Sequence, residues 1–187
     1  MRPKTAFSGF TLVELLVTLA IVAVIASITV PSMNSLIRHS NRHSAVSDMI
    51  SLINLARNTA IMEQQTVTLC PLDENDECAH DWSGTITAFR DPESDKVLSD
   101  ESEVVRVAQS HEGGEWTANT SSRPYFRFMS NGIANYAIGN MIWCPADNDM
   151  TAAAQLVVNR GGRVRTSEDH DGDGIAEDRN GDPLKCS

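Results

Sequence analysis

The sequence lacks the short signatures that usually mark catalysis. It has no P-loop and no G-x-S-x-G elbow, and its five histidines, His39, His43, His80, His111 and His170, form no H-E-x-x-H or other metalloprotease spacing. Nothing in it points to an enzyme. Positive charge is also scarce. Fifteen Lys and Arg face 25 Asp and Glu, a formal net charge of −10. Such a surface argues against broad attraction to nucleic acid or anionic lipid, although a local basic patch stays open. Aromatics make up 5% of the chain, and Trp82, Trp116 and Trp143 read as sheet core rather than as ligand stackers. There is no internal repeat and no low-complexity linker.

Long hydrophobic runs are absent too, except one. Phe10 to Val30 is apolar apart from a few small polar residues and one carboxylate, Glu14. As helix this run spans about 31 Å, enough for a bilayer core. The rest, about 155 residues, suits one modest domain. Glu14 raises the main question, because Asp, Lys or Arg at the centre of a membrane helix costs about 2.5–3.5 kcal/mol and Glu should be comparable. A secretory signal places a small-residue cleavage site after its apolar core. Here Arg2 and Lys4 come first, then Ser8-Gly9, then the run, which Pro31 follows with no A-x-A. The run is therefore expected to be retained, with any cleavage before it. The leading positive charges put the N-terminus in the cytoplasm and the large domain outside.

Cysteine is limited to Cys70, Cys78, Cys144 and Cys186. An even count in an exported domain suggests two disulfides, with three pairings open. Cys70–Cys78 with Cys144–Cys186 is preferred: one closes a short loop and the other ties down the C-terminus. The chain-entropy model gives them about 2.6 and 4 kcal/mol. Zinc is the rival reading, but Cys70 and Cys78 lack C-x2-C spacing.

The stretch GFTLVELLVTLAIVAVIASITVP resembles the class III prepilin signature of type IV pilins and type II secretion pseudopilins. That resemblance implies cleavage by a prepilin peptidase between Gly9 and Phe10, and N-methylation of Phe10. It also implies that Glu14 pairs with the N-terminal amine of a neighbouring subunit during assembly. The physics agrees: an opposite charge removes much of the cost of a buried carboxylate, so the correct subunit stagger becomes the low-energy one. The alternative is a plain anchor whose Glu14 snorkels to the interface.

Beyond Pro31, expected to kink the helix without ending it, Ser32 to Glu63 still reads as helix. Met49, Leu52, Ile53, Ala56 and Ala60 share one face. After Gln65 the period becomes two. Candidate strands are 66–69, 85–89, 104–108, 125–128, 140–144, 155–158 and 163–165, separated by turn-rich DENDE, DPESD, HEGGE, SNG and NRGG. The expected class is α+β: one long N-terminal helix packed on antiparallel β structure. RNTAIMEQQTVTLCP, Trp82-Ser83-Gly84 before a strand, the Ser130-Asn131-Gly132 turn and GGRVR together resemble the GspH/FimT branch of minor pilins and pseudopilins. This implies the type IV pilin-like fold, with a leader at 1–9, an assembly half of the helix at 10–30, an amphipathic half at 31–64 and a β-rich periplasmic domain at 65–187.

Two candidate sites lie near the C-terminus. In a strand after Gly161-Gly162, Arg163 and Arg165 would share a face about 7 Å apart, a spacing suited to successive phosphates. The motif resembles the GRxR of FimT-type pilins that bind double-stranded DNA. The competing reading pairs both arginines with Glu168 and Asp169. Next comes a loop resembling a DxDxDG calcium site, with Asp169, Asp171 and Asp173, the Ile175 carbonyl and Glu177 as ligands. Asn180 stands where an EF-hand has its bidentate Glu, and the competing reading is a solvated acidic loop. No cofactor is required, and calcium is the one candidate. The expected role is assembly. The chain would be a minor pilin in the inner membrane, single-pass, then placed near a filament tip beside other major and minor pilins. A pseudopilin H of type II secretion is the alternative.

Overall fold

The computed structural model describes residues 11–109, 113–120, 123–134 and 139–186, leaving aside the side chains of 28 and 30–32. The expected leader cleavage site, Gly9 and Phe10, lies outside them. The chain divides into two compact units, Met1–Ile37 and Arg38–Ser187.

In the first unit, helix α1 begins at Leu12. Thr11 caps it: its hydroxyl accepts from the Glu14 amide N–H at 3.2 Å. Thr11-Leu12-Val13-Glu14 has the T-x-x-E spacing of a capping box, with an acid where the helix dipole favours one. Every residue from Thr11 to Ser27 is exposed, including Leu12 at 73% and Val22 at 61%. Among the described residues no helix is by itself long and apolar enough to cross a membrane.

In the second unit α1 continues to Glu63. It ends in a Schellman arrangement, with Gln64 at φ 55° and the Gln65 N–H donating to the Ala60 carbonyl at 3.2 Å. Ala45, Met49, Leu52, Ile53, Ala56 and Ala60 form a stripe no more than 2% exposed. Two four-stranded antiparallel sheets supply its partner surface. The first has the order β3 (Val104–Ala108), β2 (Ile86–Arg90), β1 (Val67–Pro71), β5 (Phe126–Phe128). The second runs β4 (Gly114–Asn119), β6 (Gly139–Pro145), β7 (Ala154–Val158), β8 (Val164–Thr166). One core joins the helix stripe to Leu69, Ala88 and Phe126 of the first sheet and to Trp116, Trp143 and Leu156 of the second. Burying each large side chain contributes about 1.5–3 kcal/mol.

Three differences from the sequence reading stand out. The β structure is split into two sheets. In addition, the segment read as the HEGGE turn runs into β4. Its two glycines and its polar Thr117 and Asn119 mask the alternation. What makes it a strand is tertiary: Trp116 lies opposite Trp143 of β6, with the rings edge-on at 5.7 Å. Strand β8 also begins one residue later than expected, leaving Arg163 at the exit of the turn.

The disulfides join Cys70 to Cys78 and Cys144 to Cys186. The first holds the β1–β2 loop against the end of β1, and the second ties the C-terminus to β6. On the outer face of the first sheet lies a buried ion pair. Arg127 donates to Asp91 at 3.0 Å and to the Ser94 carbonyl at 2.9 Å. Asp91, 2% exposed, also accepts from the Thr68 hydroxyl at 2.6 Å. A charge this deep is tolerable only because each lone pair finds a donor.

Candidate functional site

The motifs quoted from distant parts of the sequence meet at one place in the second unit. Arg57, on the polar flank of α1, donates its Nε–H to the Gly132 carbonyl at 3.0 Å. The Ala134 N–H donates to the Arg160 carbonyl at 3.0 Å, so the SNG and NRGG turns abut. Gly132 has φ +75° and Gly162 φ +72°, both in the left-handed region. A Cβ on Gly162 would run into the Gly132 carbonyl oxygen and the Arg57 side chain, so this crossing demands glycine. Asn159 completes the turn: its side-chain carbonyl accepts from the Arg163 N–H at 3.1 Å.

Strand β8 leaves this crossing as the edge of its sheet, paired only with β7, Val157 opposite Arg165. Alternation turns Val164 toward the core and leaves Arg163 and Arg165 exposed on the other side. Both arginines line a groove of about 740 Å³. Its walls include Asn54 and Arg57 of α1, His170, and Glu177, Asp178 and Arg179 of the C-terminal loop. Among the described residues the side chains of Arg163 and Arg165 make no hydrogen bond or ion pair. Pairing with Asp169 is not made; that carboxylate instead accepts from the Gly172 N–H at 2.7 Å and the Gly174 N–H at 2.9 Å. The sequence did not mark Arg57, His170 or Arg179 for this groove. Arg57 stood in a quoted motif, but its meeting with β8 is a tertiary fact.

The loop after β8 brings the carboxylates of Asp169, Asp171, Asp173 and Glu177 within 4.8 Å of one another. Asp171 and Asp173 each accept a backbone N–H two residues on, and Glu177 accepts from the His170 N–H at 2.9 Å. Glu177 is 7% exposed and the three aspartates are open to solvent. An all-oxygen, four-carboxylate donor set suits a hard divalent cation such as calcium. Further on, N–H donors from Asn180 and Asp182 hold the Asp178 carboxyl below the usual range.

Glu14 is exposed in the first turn of α1, with no basic residue near it in the helix sequence until Arg38. Its carboxylate is thus presented by an otherwise apolar, exposed segment.

Comparison with known proteins fits this arrangement. Residues 45–162 match the family described as "Type II transport protein GspH". Residues 4–30 match the prokaryotic N-terminal methylation motif. Among solved structures, the type IV minor pilin FimU of Pseudomonas aeruginosa (strain PAO1) is similar in two crystal forms. One gives a TM-score of 0.51 at 15% identity over 67% of this chain and 92% of FimU. The other gives 0.50 at 16% identity over 67% and 87%. No curated protein matches the sequence significantly. The likeness to FimU shows a shared pilin fold, and the family match covers more than half of the sequence: the chain belongs to the GspH family of minor pilins and pseudopilins.

Proposed function

We propose that this chain is a minor pilin of a type IV pilus that captures DNA through Arg163 and Arg165. The observation that carries the DNA reading is the pair of unpaired guanidiniums on one face of an edge strand. Guanidinium forks bind phosphate oxygens bidentately, and contacts of that kind carry no base preference. The likeness to a type IV minor pilin supports the pilus setting. A prepilin peptidase would cut between Gly9 and Phe10 and methylate Phe10. The apolar run would anchor the protein in the inner membrane, single-pass, with its C-terminal domain periplasmic. In the filament, near its tip, Glu14 would meet the N-terminal amine of a neighbouring pilin. The test of the DNA reading is a gel shift with the full chain in detergent micelles. Arg163→Ala with Arg165→Ala should abolish a duplex shift at physiological salt; unchanged binding removes the site.

The second reading is a pseudopilin H of a type II secretion system, which the description of the matching family favours. Deleting the gene separates the two: lost surface pili support the pilus, and exoproteins trapped in the periplasm support secretion. The carboxylate cluster favours a calcium loop at Asp169, Asp171, Asp173 and Glu177, with the Ile175 carbonyl as a fifth ligand. Calorimetry should show binding at millimolar calcium that Asp171→Ala removes, and no heat would dismiss it.

A further inference from the structure

The geometry points to a groove rather than a strand face as the DNA site, with Arg57 and Arg179 as phosphate contacts additional to Arg163 and Arg165. This rests on the DNA reading and goes further, because it names which backbone track the polyanion follows. Four arginines from three separate segments line one groove of about 740 Å³: Arg57 from α1, Arg163 and Arg165 from β8 and its turn, and Arg179 from the C-terminal loop. That volume holds a stretch of one sugar–phosphate strand, not a duplex, whose helix would rest on the rim.

Three carboxylates line the same groove, so the sign of the site depends on which charges are already engaged. Asp178 accepts the N–H groups of Asn180 and Asp182, at 2.7 and 3.1 Å. Glu177 is nearly buried and accepts the His170 N–H at 2.9 Å. Backbone dipoles therefore temper two of the three negative charges, and only Glu168 is left with its carboxylate open. The arginines differ. Arg57 spends its Nε–H on Gly132, which fixes the plane of its guanidinium and leaves the two terminal nitrogens for a ligand. A fork held this way loses less freedom on meeting a phosphate than a free side chain would. Arg179 sits at the tip of the tight turn 178–182, where the Asp178 N–H donates to the Asp182 carbonyl at 2.8 Å. The Cys144–Cys186 bond anchors the end of that loop. Arginines thus line the groove from α1, from β8 and its turn, and from the C-terminal loop, which fits a phosphate chain lying among them.

Salt dependence of duplex binding by the full chain in detergent micelles reads the number of contacts directly. Each phosphate neutralised contributes about 0.9 to the slope of log K against log salt. Arg179→Ala, at an exposed turn, should lower the slope by about 0.9 and leave the thermal unfolding midpoint unchanged. Arg57→Gln should lower it by a similar amount, while Arg57→Lys keeps the slope and loses affinity by roughly 3- to 10-fold, since a lysine retains the charge but not the fork. A purely structural role for Arg57 would shift the unfolding midpoint in both variants and leave the slope alone. If Arg163→Ala and Arg165→Ala weaken binding but both Arg179→Ala and Arg57→Gln keep the full slope, the groove is wrong and the strand face is the whole site. If the β8 variants change nothing, the DNA reading itself fails.

Discussion

Helix α1 uses much the same apolar residues in its two halves, yet the halves meet different surroundings. From Leu12 to Ile25 the large apolar side chains are 52–73% exposed. From Ala45 to Ala60 the apolar stripe is at most 2% exposed. The second half carries its solvent-excluding partner in its own chain, as two sheets. Among the described residues the first half has no such partner in its own unit, and exposed apolar surface of that extent marks an interaction site. Amphipathicity separates the two. Arg38, Arg42, Asp48 and Arg57 give the second half a polar side, whereas Glu14 is the one charge between Leu12 and Ile37. Folding stability should therefore reside in one half and assembly in the other.

The sharpest way to break that division is to truncate one leucine in each half. Leu52→Ala should destabilise the second unit by about 2–5 kcal/mol, read by denaturant unfolding in detergent. Leu16→Ala should change the same transition by less than about 0.5 kcal/mol. Equal effects would dissolve the distinction. Of similar size, Asp91→Ala strands the buried Arg127 and should cost about 3–5 kcal/mol, with no effect on the first unit.

The disulfides rank by loop length. Removing Cys144–Cys186, which closes a separation of 42 residues, should cost about 4 kcal/mol. Removing Cys70–Cys78, with a separation of 8, should cost about 2.6 kcal/mol. Paired Cys→Ser variants compared by urea unfolding check the order.

The smallest expected effect is at the helix end. Arg90 grips Glu63 bidentately, at 2.6 and 2.8 Å, and its hydrogen bonds hold the Glu63 carboxyl below its ordinary value. A carboxyl depressed in the folded state stabilises the fold above its unfolded pKa, and the contribution disappears as pH falls through the folded value. Both groups are about one-third exposed, so Glu63→Gln should cost less than about 1 kcal/mol at pH 7, and that cost should shrink as pH falls below the ordinary glutamate range.

Much of this was legible in the sequence, for reasons that also explain what was not. The helix stripe was plain because burial of Met49, Leu52, Ile53, Ala56 and Ala60 imposes a 3.6-residue period. Its stop at Glu63 was legible as well, from the change to a period of two after Gln65, although the left-handed Gln64 that makes the stop has no glycine-like signature. Strand β3 was read at its observed bounds. Strand β4 escaped because Trp116 gains its partner, Trp143, from a segment 27 residues away in sequence. The division into two sheets escaped for the same reason, since local alternation does not say which strands pair. At the candidate site, Arg163 and Arg165 were visible as a spaced pair. Arg57 and Arg179 were not, because only the folded chain brings α1 and the C-terminal loop beside β8. Thr11 and Glu14 show a further overlap: the residue whose backbone N–H the Thr11 cap receives also carries the charge read as an assembly determinant.

Mass spectrometry of the chain recovered from sheared surface filaments tests the filament-subunit account most directly. The account predicts a mature protein whose first residue is Phe10, bearing a methyl group on its amine. A chain that retains residues 1–9 in cells with an active peptidase, or one missing from filaments that are otherwise assembled, would contradict it.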